Sequence, residues 1–174
     1  YCTVIKDGET YRVYYRGLPE AKRDGSNSEV TCIAESPDGI VWSKPNLGIY
    51  EVGGSKENNA VLADSAPFSH NFCPMLDTKE GVPADQRYKA LGGTRRTGLV
   101  AFVSPDGLHW KKLREEPVIT EGASDSQNVP LWSESEGRYV CYFRVFIDGI
   151  RRISRTTSED FLTWTKPELM GYDG

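Results

Sequence analysis

The chain has 174 residues, 38% of them hydrophobic and 26% charged, with a formal net charge of −4 at neutral pH. That length supports one domain with a core of its own, and four Trp, nine Tyr and six Phe against two Met favour ring-packed layers over a helical bundle. No apolar stretch approaches the length of a membrane-spanning helix, and the acidic balance argues against a nucleic-acid partner, which is usually met by a basic surface.

In chain order, the first readable strand runs through Val4 and Ile5 and is closed by the turn Lys6-Asp7-Gly8. A second strand follows from Tyr11 to Arg16. Asp-Gly between apolar runs is the strongest short-range hairpin signal. A polar loop over Ala21–Ser28 leads to a third strand, Val30–Glu35. Pro37-Asp38-Gly39 then turns the chain into a short fourth strand through Trp42, with Pro presetting φ and Gly free to take a positive one. A second unit opens at Ser69-His70-Asn71-Phe72, has its strand from Tyr88 to Gly92, and turns at Ser104-Pro105-Asp106-Gly107. The third opens at Ser124–Val129, runs an inner strand to Trp132, turns over Ser133–Gly137, and continues with a strand from Tyr139 to Arg144. No segment sustains a helical period with caps, so helix content is expected to be low.

The three units repeat. Each ends on a Ser followed six residues later by Trp: Ser36 and Trp42, Ser104 and Trp110, Ser158 and Trp164. Each also opens its second strand with a Tyr after a turn: Tyr11, Tyr88 and Tyr139. A fixed terminal motif with a variable middle is the pattern of a repeated hairpin carrying a free loop. The third unit has Glu159-Asp160-Phe161 in place of Pro-Asp-Gly, which implies a turn of another type. Four short strands per unit match β-propeller blades, so the reading is an all-β chain of about three blades, near 1–68, 69–121 and 122–174.

Other chemistries find little support. Cys2, Cys32, Cys73 and Cys141 form no C-x-x-C pair, and Cys32 and Cys141 sit in apolar runs where a thiol behaves as a small core residue. Two distant His and no paired Cys leave no zinc pattern, and no cofactor or metal is expected. Gly53-Gly54-Ser55-Lys56 lacks the phosphate-loop pattern. Arg95-Arg96 and Arg151-Arg152 read as solvated hairpin tips. The chain opens without Met inside a strand, so a targeting segment is not readable.

Ser-Pro-Asp-Gly-x-x-Trp-x-Lys-Pro, with Tyr-Arg-Val-Tyr-Tyr-Arg before it, resembles the five-bladed propellers of the glycoside hydrolase family 32 and family 43 type. Sialidase-type propellers share a similar turn, so Asp38 and Asp106 are read as turn residues. The resemblance implies a funnel where the innermost strands begin, with three carboxylates serving as nucleophile or base, transition-state stabiliser and general acid. Ser124-Asp125-Ser126 resembles the family's Arg-Asp-Pro segment without its Arg and Pro, which makes Asp125 the stabiliser candidate. Gln127 and Asn128 beside it suit hydroxyl recognition, because amides offer both donors and acceptors. By position alone, His70 and Asn71 are candidates for sugar contact. Asp77, beyond the strand, reads as structural. By the same spacing the nucleophile belongs just upstream of Tyr1 and the acid near position 179, past Gly171-Tyr172-Asp173-Gly174. The implied partner is therefore a carbohydrate, either cleaved or, in the alternative, only bound by a scaffold propeller. Three blades leave two open sheet faces, so association into a homo-oligomer through those faces is also expected.

Overall fold

The computed structural model describes residues 1–122 and 124–171; the Tyr172-Asp173-Gly174 segment lies outside them. Three four-stranded antiparallel sheets make up the fold. The first is β1 (Cys2–Asp7), β2 (Thr10–Gly17), β3 (Val30–Ser36) and β4 (Ala60–Leu62). The second is β5 (Cys73–Leu76), β6 (Tyr88–Thr94), β7 (Gly98–Ser104) and β8 (Lys111–Lys112). The third is β9 (Val129–Ser133), β10 (Arg138–Ile147), β11 (Ile150–Ser158) and β12 (Glu168–Leu169). Strands pair in chain order within each sheet, and the inner strands β1, β5 and β9 neighbour one another in that sequence. This is the propeller arrangement read from the repeat, and among the described residues helix is confined to two short 3₁₀ turns, Phe68–His70 and Ala84–Gln86.

The repeated Ser-to-Trp motif forms one turn built three times. Ser104 Oγ donates to Asp106 Oδ1 at 3.0 Å and accepts from Gly107 N at 2.9 Å, while Asp106 Oδ1 accepts from Leu108 N and His109 N. Ser36 with Asp38 and Ser158 with Asp160 repeat these bonds. The third turn is therefore of the same type, contrary to the expectation from its sequence. Phe161 takes φ +66° where Gly39 and Gly107 take +75°. A non-glycine side chain there is strained, and what holds it is burial: Phe161 is 0% exposed between blades two and three.

The two interfaces between blades solve one packing problem in opposite ways. Tyr11, Tyr88 and Tyr139 are equivalent, so Tyr14 corresponds to Leu91 and Gly107 to Phe161. Between blades one and two, Tyr14 is the large group; a Cβ on Gly107 would lie 2.4 Å from its hydroxyl. Between blades two and three, Leu91 is smaller and Phe161 fills the space, meeting Tyr139 and Trp164 edge-on at 5.2 and 5.5 Å.

A second device repeats. An acid at the end of β1 and another just past β5 bond the opening Tyr of the next blade: Asp7 accepts from Tyr88, and Asp77 accepts from Tyr139 at 2.6 Å. Burial, then the neighbouring Asp7, push the Tyr88 phenol up to about 12, so it stays a donor. Lys89, almost fully buried, neutralises Asp77, and Arg87 and Arg12 attend the first pair. The equivalent position in blade three is Ser133.

The structure corrects two further local expectations. Residues 40–42 are exposed and not a strand; Ser43 only bridges to Glu35, and the fourth strand of blade one is Ala60–Leu62, reached through an insertion. Arg151 and Arg152 lie on β11 past the tip, which is Asp148-Gly149, both at positive φ. All four cysteines are free thiols. Beyond the core, Val4 of blade one and Val129, Leu131, Phe146 and Ile153 of blade three remain exposed.

Candidate functional site

Strand direction alternates within a blade, so its β2-type end, its β3-type start and the entry to the next inner strand share one end of the molecule. The Asp7-Gly8 turn and the three Ser-to-Trp turns fall at the other, while the Asp148-Gly149 tip of blade three belongs to the first. At the first end lies a cavity of about 540 Å³, within the range of small-molecule sites. It is lined by Arg23, Asp24 and Gly25 from the β2–β3 loop, by Ala66, Pro67 and His70 before β5, by Thr94–Thr97 of the β6–β7 hairpin, and by Asp125 before β9. Three blades thus contribute to one opening.

Glu29 organises a charged cluster around the lining residue His70. The Glu29 side chain is only 1% exposed, and both carboxylate oxygens have partners. Gly25 N donates to Oε2 at 3.0 Å, which pins the β2–β3 loop. Arg16 Nη1 donates to Oε1 at 3.0 Å, and His70 Nδ1 lies 3.1 Å from the same oxygen. His70 Nδ1 is also 2.7 Å from Arg16 Nη1. Whether it accepts from the guanidinium or donates to the carboxylate, Nδ1 is occupied, and Nε2 is the ring nitrogen without a protein partner among the described residues. Tyr1 covers the group, 6.3 Å from the His70 ring and 6.0 Å from the Arg16 guanidinium.

Asp125 lies on the wall beside this cluster, about half exposed. Arg144 of β10 grips it from two sides, Nε to Oδ1 at 3.1 Å and Nη2 to Oδ2 at 2.7 Å. This bidentate geometry fixes the orientation of the carboxylate. Tyr1 donates to the Asp125 carbonyl at 3.2 Å.

The other residues singled out in the sequence fall into a supporting layer. Asn71 is buried; its amide donates to the carbonyls of Ser124 and Ser126 and accepts from Gly93 N. It reaches a ligand only through the Asp125 loop that it holds. Gln127 donates to Cys2 O and Thr3 Oγ1, tying the loop to β1. Asn128 is buried, donating to Ser126 O, and its own oxygen has no partner among the described residues. Burial raises the Cys73 thiol beside Gln127, which makes it a poor nucleophile. Asp77 sits at the opposite end in its ion pair with Lys89.

Sequence reasoning passed over Arg16, Glu29 and Arg144. They are charged residues in ordinary strand and loop positions, and only the fold brings 16, 29 and 70 together. Asp24, Glu29 and His70 place one ligand-type atom each within 4.8 Å of one another. The Arg16 guanidinium occupies their midst, 3.8, 3.0 and 2.7 Å away, so the cluster carries its own cation and a metal would have to displace it.

No protein-family model and no curated protein matches this chain. Among solved structures, it is similar to an N-acetylgalactosamine deacetylase from F. plautii in complex with blood group B trisaccharide, with TM-score 0.61, 17% identity, and coverage of 99% of this chain and 54% of that one. It is also similar to a thermostable family-43 glycoside hydrolase, with TM-score 0.60, 16% identity, and coverage of 97% and 51%. A fructofuranosidase from Schwanniomyces occidentalis complexed with fructose gives TM-score 0.63 and 16% identity, over 97% of this chain and 34% of that one. The fold is thus that of the β-propeller glycoside hydrolases, as the sequence resemblance implied, and the chain spans about half or less of these neighbours.

Proposed function

We propose that this chain is the saccharide-holding part of a glycan-acting propeller of the glycoside hydrolase type. One observation carries the reading: Asp125 and His70, chosen from separate units of the repeat, line one cavity at the end where the inner strands begin. Propeller neighbours in complex with a trisaccharide and with fructose support a carbohydrate as the ligand. In this reading Asp125, held by Arg144, accepts from sugar hydroxyls and faces the positive charge that develops at the anomeric carbon. His70 Nε2 offers a second polar contact. The nucleophile and the general acid come from further blades or a partner, and the open faces of blades one and three are where such blades pack, whether from a longer chain or a second copy.

A second reading, binding without turnover, is favoured by a specific observation. Glu29 is consumed by Arg16, His70 and Gly25, and Asp125 by Arg144, which leaves Asp24 as the cavity carboxylate without a close ion pair. Cleavage usually needs two carboxyl groups free to act on one glycosidic bond. The test is a panel of aryl furanosides and pyranosides with wild type and Asp125→Ala, read for product and for a sugar-induced shift in melting temperature. Turnover abolished in Asp125→Ala supports the catalytic reading, and a shift without turnover supports the binding one. Neither turnover nor shift with any sugar would sink both.

A further inference from the structure

The arginines around the cavity point to the chemical class of the sugar; this inference rests on the saccharide reading above. Arg23, Arg95 and Arg96 line the opening, are exposed, and make no ion pair among the described residues. The first comes from blade one and the other two from blade two, so the opening is basic on two sides. Two of the three nearby acids have a close cation of their own. Glu29 is served by Arg16, Asp125 by Arg144, and Asp24 lies 3.8 Å from Arg16. Counting these, five arginines face three carboxylates, on a chain whose net charge is −4. A surplus of positive charge on an acidic protein is a local field suited to drawing in an anion.

The loops that carry these arginines are braced. In the hairpin, Thr97 Oγ1 accepts from Thr94 N at 2.9 Å and donates to Gly98 O at 3.0 Å, with Gly98 at φ +68° closing the three-residue loop. Arg23 sits on a turn where Ser26 N donates to its carbonyl at 3.2 Å, and Glu29 secures Gly25 behind it. Sequence alone reads Arg95-Arg96 as a solvated tip. The added fact is that a third arginine from another blade shares the same cavity.

We propose that the saccharide taken here is anionic, carrying a ring carboxylate or a sulfate ester that the guanidinium forks of Arg23, Arg95 and Arg96 receive. Both groups present paired oxygens to a planar fork, the geometry that arginine matches and lysine does not. The cavity volume suits a short oligosaccharide, and a long polyanion would meet the acidic remainder of the surface.

The test is calorimetric titration of the purified chain, at low and at physiological salt, with five probes: an oligogalacturonide, a sulfated galactose disaccharide that carries no carboxylate, neutral xylo- and fructo-oligosaccharides, and a single-stranded oligonucleotide. Binding of at least one anionic sugar in preference to the neutral ones is expected, and the stronger arm identifies carboxylate or sulfate. Arg23→Ala, and the pair Arg95→Ala with Arg96→Ala, should each weaken it about ten-fold or more, the scale of a lost charge-assisted hydrogen bond. Their melting temperatures should match wild type because the side chains are exposed. Neutral sugars bound equally well, or anionic sugars bound with no loss in the variants, would overturn the inference and leave the saccharide reading standing. An oligonucleotide bound as tightly as the sugars would overturn it as general charge attraction. No sugar bound at all would overturn both.

Discussion

Replacing Phe161 by glycine sets two effects against each other, and their sizes decide the outcome. Glycine relieves a side chain held at φ +66°, worth about 1–2 kcal/mol. It also removes a fully buried ring packed on Tyr139 and Trp164. Emptying such a site costs about 3–5 kcal/mol for a phenylalanine. Burial wins, and Phe161→Gly should destabilise by about 1–4 kcal/mol, which for a chain of this size lowers the melting temperature by roughly 2–16 °C. Urea unfolding followed by far-UV circular dichroism gives the number. Combining it with Leu91→Tyr rebuilds the arrangement of the first interface, where Tyr14 OH donates to Gly107 O at 3.0 Å. The double variant should recover about 1 kcal/mol or more relative to Phe161→Gly alone. A neutral or stabilising Phe161→Gly would show that strain outweighs burial, and the packing argument would be wrong.

Further outcomes follow from the same structure. Asp77→Ala strands Lys89 in the core and should cost about 3–5 kcal/mol in urea unfolding, with Lys89→Met restoring much of it by removing the orphaned charge. The Asp106 carboxyl is pushed up by burial but held at about 2 by the His109 backbone amide and side chain, the Leu108 amide and the Ser104 hydroxyl. A folded value below the unfolded one gives stability that is present above pH ~4 and lost as pH falls toward 2. Asp106→Asn should therefore flatten the acid limb of a melting-temperature profile without steepening it elsewhere. Burial raises the thiols of Cys32, Cys73 and Cys141, so a thiol reagent at pH 8 should titrate Cys2 alone in the native chain and all four cysteines in denaturant. Light scattering should give a mass above one chain if the exposed apolar residues of blades one and three seek partners, and a strictly monomeric, non-aggregating chain would count against that.

Much of the fold was readable because its signals are local. The Ser-to-Trp spacing marks a turn whose bonds all span two or three residues, and the Tyr that opens each second strand marks the register of a blade. Asp125 and His70 could be singled out because each lies three or four residues before an inner strand, and strand entry is itself a local feature. What stayed hidden depends on distance. Asp7 and Tyr88 are 81 residues apart, and no motif ties Glu29 to His70 across 41. The φ of Phe161 was hidden for a different reason: glycine is the local solution to that turn, and tertiary burial overrides it. The fourth strand of blade one was misplaced because an insertion separates it from the turn that precedes it in the other blades.

The central claim is that one cavity, walled by three blades with Asp125 and His70 on it, holds a sugar. A crystal of the chain grown with an oligosaccharide and solved by diffraction tests it most directly. Density for a ring within hydrogen-bonding distance of the Asp125 carboxylate and His70 Nε2 is the expected result. A ring bound on the opposite face, or on the outer strands with this cavity holding only water, would contradict it.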